Sequence, residues 1–68
     1  MQYSVGIDVG SVSVNVAVLD SDGAVVYEEY VRHHGQPMAT AARALARVVE
    51  KYGAENLTDL AATGSGAR

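Results

Sequence analysis

Residues able to do chemistry gather at two places in the 68-residue sequence. The first is Asp8, Gly10, Ser11, Val12 and Ser13, within the run Gly6-Ile7-Asp8-Val9-Gly10-Ser11-Val12-Ser13. An acidic residue followed by a tight turn of small, hydroxylated residues suits a phosphate group. The glycine lets the backbone approach, N–H groups and hydroxyls donate to phosphate oxygens, and the carboxylate holds a cation. The plainer alternative is a hairpin turn carrying a surface aspartate. The second place is Thr63 and Gly64, which open the glycine-punctuated stretch Thr63-Gly64-Ser65-Gly66-Ala67-Arg68. His33 and His34 form a third pair, but neighbours in an extended chain point to opposite sides. They read as a solvated strand-to-loop pair, not as metal ligands.

These residues need elements to hold them. Tyr3 to Val9 is rich in β-branched residues and reads as a strand ending just after Asp8. Ser13 to Leu19 sets Val14, Val16 and Val18 on one side and Asn15, Ala17 and Leu19 on the other, the period of a strand. Asp20-Ser21-Asp22-Gly23 is a turn by composition. Ala24 to about Arg32 reads as a third strand, with Val25, Tyr27 and Val31 against Val26, Glu28, Tyr30 and Arg32; its charge and tyrosines suit a partly wet sheet edge. Pro37 can open a helix, and Met38, Ala42, Leu45, Val49 and Tyr52 recur at helical spacing as its expected core stripe. Arg43 and Arg47 fall on the expected solvated face, and Gly53 is a helix stop. Ala54-Glu55-Asn56 then links to a fourth strand from Leu57 to Ala62.

The order β-β-β-α-β implies two hairpins and one right-handed crossover helix, giving an α/β fold with a mixed sheet ordered 3-2-1-4. A single helix covers one face of such a sheet. The other face is expected to carry Val and Leu side chains that need a cover, so the chain is expected to be part of a larger lobe and to self-associate through that face.

Composition removes several function classes. There is no cysteine, which rules out disulfides and thiolate metal ligation within this sequence, and two histidines do not make a structural zinc site. A net charge of -3 does not suit a nucleic-acid backbone binder. No apolar run approaches the roughly 18 residues of a membrane helix, and no signal peptide is evident. A cytoplasmic protein is the expectation.

The three-strand meander with Gly-Ile-Asp-x-Gly-Ser-x-Ser at its first turn resembles the N-terminal lobe of the actin, Hsp70 and sugar-kinase ATPase superfamily, whose core is RNase-H-like. With Val14-Asn15-Val16-Ala17-Val18-Leu19-Asp20 and the Ala62 to Arg68 stretch added, it is similar to the BadF/BadG/BcrA/BcrD family. That family includes ATP-dependent activators of 2-hydroxyacyl-CoA dehydratases and ATPase subunits of benzoyl-CoA reductase. The resemblance covers essentially the whole sequence but only the opening part of the family's domain. It implies Mg²⁺ at Asp8, nucleotide phosphates at Gly10, Ser11, Val12 and Ser13, and Thr63 and Gly64 on the nucleotide side. Val12 stands where the family more usually has Thr, and Asn15 near its frequent Lys, so at Val12 only the backbone N–H remains as a phosphate donor.

For the parent protein the resemblance implies ATP hydrolysis, a homodimer sharing a [4Fe-4S] cluster, and electron transfer into a dehydratase or reductase partner. No residue of this sequence is assigned a catalytic role, and the chain alone is not expected to turn over ATP. A sugar or small-molecule kinase of the same superfamily and a non-catalytic actin-like assembly protein are the alternatives. A nuclease of RNase-H type also keeps an aspartate on its first strand. It needs clustered carboxylates around two ions, and Asp59 lies at the wrong end of the fourth strand to supply one.

Overall fold

In the computed structural model, which describes residues 2–63, alternation of valines with small or polar residues builds the sheet. The strands are β1 (Tyr3–Val9), β2 (Ser13–Leu19), β3 (Val25–Arg32) and β4 (Leu57–Thr63), with the helix α1 (Pro37–Tyr52) between the last two. They form one mixed sheet in the order β3-β2-β1-β4. β1 pairs antiparallel with β2 and parallel with β4, and β2 pairs antiparallel with β3. The topology is the one the sequence implies, and β1 is central in it.

Register decides which side chains share a face. Val5, Ile7 and Val9 stand opposite Val18, Val16 and Val14. All six are buried, and Ala41, Ala44 and Val48 of α1 complete the core. Burying a valine or isoleucine fully stabilises by about 1.5–3 kcal/mol relative to exposure, so this patch of five valines and Ile7 supplies most of the fold's drive. Ala41 and Ala44 matter by being small, since they let the helix axis settle close to a valine-covered surface.

That packing corrects the expected helix stripe in part, since Leu45 and Tyr52 do pack half-buried against the core. The buried helical residues are Thr40, Ala41, Ala44 and Val48, whereas Met38 is 64% exposed and Val49 36%. The face in contact is rotated by about 100°, one residue's increment, from the larger Met38–Leu45–Val49 row. That row overhangs β4. Together with Val5, Ile7, Val9, Leu57, Leu60 and Ala62 it lines two hollows of about 250 and 280 Å³ that share Leu45. Leu60 is 59% exposed there. Among the described residues, the seam between helix and β4 is thus an open apolar surface.

The sheet face away from α1 is also different from expectation. By register it carries Ser4, Gly6 and Asp8 of β1, Ser13, Asn15, Ala17 and Leu19 of β2, Glu28, Tyr30 and Arg32 of β3, and Asp59, Ala61 and Thr63 of β4. Every valine of β1 and β2 points to the helix, so Leu19 is the only large aliphatic that β1 and β2 leave on this side. A slip in the β2–β3 register between Val18 and Leu19 also sets Val25 opposite Leu19, which shifts Val25 out of the simple alternation.

Local signals end the elements as their chemistry requires. Asp20 Oδ1 accepts from the N–H groups of Asp22 and Ala24, and Gly23 takes φ +84°. Pro37 begins α1, and Gly53 ends it at φ +87° with its N–H donated to the Val49 carbonyl. Helix and edge strand are then tied by a polar clasp. Arg47 donates to both carboxylate oxygens of Glu29, at 3.2 and 2.5 Å, and the Tyr27 hydroxyl donates to Glu29 at 2.7 Å. Arg47 is therefore not simply solvated, as its helical position suggested. The Arg47 and Tyr27 hydrogen bonds hold the Glu29 carboxyl below its ordinary value, and the same bond to Glu29 raises the Tyr27 hydroxyl.

Candidate functional site

The two stretches singled out in the sequence meet at one edge of the sheet. β1 and β4 run parallel with Asp8 opposite Thr63, so both strands bring their C-terminal ends to the same place. The Thr63 hydroxyl donates to Asp8 Oδ1 at 3.5 Å, across 55 residues of sequence. Both side chains are exposed, so the carboxylate is accessible from solvent. Gly64 lies outside the described residues.

Beside this pair the open face dips into a shallow trough of about 240 Å³. Its floor is a row of small residues, Ala17, Gly6 and Ala61, side by side on β2, β1 and β4. Asp8, Asn15 and Thr63 line one end, and Glu28 lines the β3 side. Gly6, Asn15 and Glu28 were not among the residues expected to act. The available signal was Gly6 itself, because a glycine in the interior of a β-branched strand marks a close approach or a bulge.

The turn after β1 is closed by the Gly10 N–H, which donates to the Ser13 carbonyl at 2.8 Å. Ser13 opens β2 on the trough face, one step along from Asn15, while Ser11 and Val12 form the exposed tip. Ser11 and Val12 also border a second hollow of about 250 Å³ with Arg32, His33, His34 and Gly35. The structure thus separates the expected phosphate residues into Asp8, Thr63 and Ser13 along the trough face and Ser11 and Val12 at the tip.

His33 is the main residue that sequence reasoning misplaced. It is 8% exposed rather than solvated, and both ring nitrogens are engaged: Nε2 with the Gly10 carbonyl at 3.1 Å, Nδ1 with the Gly35 N–H at 3.1 Å. Its own N–H donates to the Val12 carbonyl at 3.0 Å. His34, at φ +49°, is the exposed one. No sequence spacing connects position 33 to position 10; only the strand pairing does.

As a cation site the arrangement suits Mg²⁺. That ion keeps several waters and is held through one or two carboxylates plus substrate phosphates, a mode that needs only Asp8 from this chain. Among the described residues no group of three or more His, Cys, Asp or Glu gathers to cage an ion. Asp59 stands opposite Ser4, four residues from Asp8's level and so about 13 Å along the sheet. It does not join Asp8 in a two-ion cluster. With no cysteine, this sequence offers a [4Fe-4S] cluster no thiolate. Among the described residues, no helix is long and apolar enough to cross a membrane.

A scan against protein-family models finds no match, and a search of curated proteins finds no similar sequence.

Proposed function

We propose that this chain is the first phosphate-binding segment of an ATP-hydrolysing activator of the dehydratase-activator type, acting in the cytoplasm. The observation that carries the reading is the meeting of Asp8 with Thr63. Two motifs picked out for phosphate chemistry, far apart in sequence, lie within one hydrogen bond of each other at the C-terminal edge of a parallel strand pair. Asp8 holds the Mg²⁺ of Mg·ATP through water. Gly10 lets the backbone approach, the N–H groups and hydroxyls of Ser11 to Ser13 take the β- and γ-phosphates, and Thr63 sits on the nucleotide side. Glu28, across the trough, adds negative charge that a bare phosphate would meet unfavourably and a magnesium-bound one would not.

The open helix–β4 seam supports a larger lobe, because a second helix laid beside α1 would cover Leu45, Val49 and Leu60. Adenosine recognition, positioning of the attacking water, the homodimer and the [4Fe-4S] cluster with its dehydratase or reductase partner are assigned to the rest of that parent protein. The test is ¹⁵N NMR titration of the chain with Mg·ATP. Shifts at residues 8 to 13 and at Thr63 are expected, and Asp8→Asn should remove their dependence on Mg²⁺ while leaving the fold intact. Shifts confined to other residues would overturn the assignment.

A further inference from the structure

The Gly35 N–H can only donate, so the His33 Nδ1 beside it is the bare nitrogen of a neutral ring and Nε2 carries the proton. Nε2–H therefore donates to the Gly10 carbonyl. With its backbone N–H on the Val12 carbonyl, this one residue grips the turn at both shoulders. Two backbone hydrogen bonds could cross a turn of this length. The described residues make only the one from Gly10 N–H to the Ser13 carbonyl; the Gly10 carbonyl is engaged with the imidazole instead.

A carbonyl oxygen facing a bound phosphate would repel it, and one accepting from the Ser13 N–H would consume a donor. Resting on the reading of Gly10 to Ser13 as a phosphate turn, we propose that His33 is its positioning residue: it draws the Gly10 carbonyl aside and leaves the N–H groups and hydroxyls of Ser11 to Ser13 as a preformed donor set. The cost of ordering those donors is then met on folding, not on binding, which is how preorganisation raises affinity.

Three substitutions in the full chain separate this role from simple structural support. In His33→Gln the side-chain amide nitrogen reaches the place of Nε2 and can still donate to Gly10. In His33→Asn the shorter side chain reaches the Gly35 N–H but not the Gly10 carbonyl. His33→Ala keeps neither contact. Affinity for Mg·ATP is read from ¹⁵N shifts and stability from thermal melts. Loss of one buried hydrogen bond corresponds to about five- to tenfold in affinity, so His33→Ala and His33→Asn should bind that much more weakly, while His33→Gln stays within about twofold. A merely structural histidine would make affinity follow the melting temperature. Wild-type affinity in a folded His33→Asn, or His33→Gln binding as weakly as an equally stable His33→Ala, would overturn the proposal.

If the wild-type chain shows no shifts at residues 8 to 13, the phosphate reading itself fails. The grip on the turn is then judged from hydrogen exchange of the Gly10 N–H. Acceleration in His33→Ala and His33→Asn but not in His33→Gln supports it, and unchanged exchange refutes it.

Discussion

Gly6 offers the sharpest separation of folding from binding. It lies mid-strand in β1, and a Cβ built on it meets no heavy atom within 4 Å, because it would project into the trough. Its φ is not in the left-handed region, so a side chain is compatible with the backbone. Gly6→Ala should therefore stabilise by about 0.4–1 kcal/mol, chiefly by restricting the unfolded chain. For a domain of this size that raises the melting temperature by about 2–8 °C. Gly6→Val should add up to about 1 kcal/mol more through strand preference.

Binding should move the other way. A methyl on the trough floor narrows the space beside Asp8 and Thr63, and an isopropyl group fills it. Affinity for Mg·ATP should fall in the order Gly, Ala, Val, with at least about a tenfold loss for Val, equivalent to about 1.4 kcal/mol. Ser4→Val is the control: it lies on the same face of the same strand, opposite Leu19 and Asp59 and outside the trough, so it should leave affinity unchanged. Thermal melts by circular dichroism and the NMR titration read the two quantities on the same samples. Gly6→Val with wild-type affinity would show that the trough is not part of the site. A lowered melting temperature in Gly6→Ala would show that the glycine is not in the relaxed strand conformation described above.

Two further expectations concern the surroundings of the site. The Glu29 carboxyl is held low in the folded protein by Arg47 and Tyr27, so its contribution to stability is full above the ordinary carboxylate range and fades as pH falls through its folded-state value. Urea midpoints should drop over that acid range in the wild type and less so in Arg47→Met; parallel pH profiles would mean that the clasp contributes nothing. The helix–β4 seam, with Leu60 and Met38 exposed beside β4, which is an edge strand among the described residues, should make the chain self-associate on that side and not on the polar face. Sedimentation should show mass rising with concentration and a reduced rise in Leu60→Lys, and a wild-type monomer at every concentration would refute this.

Element order and sheet topology were legible because each segment carried a clean period. Val14, Val16 and Val18 fix both the strand and its buried side, and the Asp20 to Gly23 turn leaves a hairpin as the economical connection. The same alternation already assigned Gly6, Asp8, Asn15 and Ala17 to the far face. The expectation of Val and Leu side chains there holds for Leu19 and for Val25 opposite it, but the valines of β1 and β2 all lie on the helix side. The helix stripe was legible only in part: Leu45 and Tyr52 pack half-buried against the core, but a helix lying on a dense valine surface buries its small residues fully and leaves Met38 and Val49 at the flank. His33 was not legible at all, since its partners at positions 10 and 12 become neighbours only after β1, β2 and β3 have paired.

The two open surfaces of the sheet differ in chemistry, and that difference bears on function more than either does alone. The seam beside β4 is lined by Leu45, Val49, Leu57 and Leu60, whose exposure to water is unfavourable and which suit a permanent protein cover. The opposite face is paved with Gly6, Ala17 and Ala61 and rimmed by Asp8, Asn15, Glu28 and Thr63, groups that gain little from apolar burial and keep their hydrogen-bonding capacity when wet. A lobe that packs permanently through the first face can leave the second for a ligand that comes and goes. Asp8 lies on the second side of that division, at the end of β1, where under the proposed function one strand would carry core packing on one face and phosphate chemistry on the other. Substitutions at Ile7 and Val9 should accordingly lower stability, and those at Gly6 and Asp8 should weaken binding without lowering stability, along a single strand.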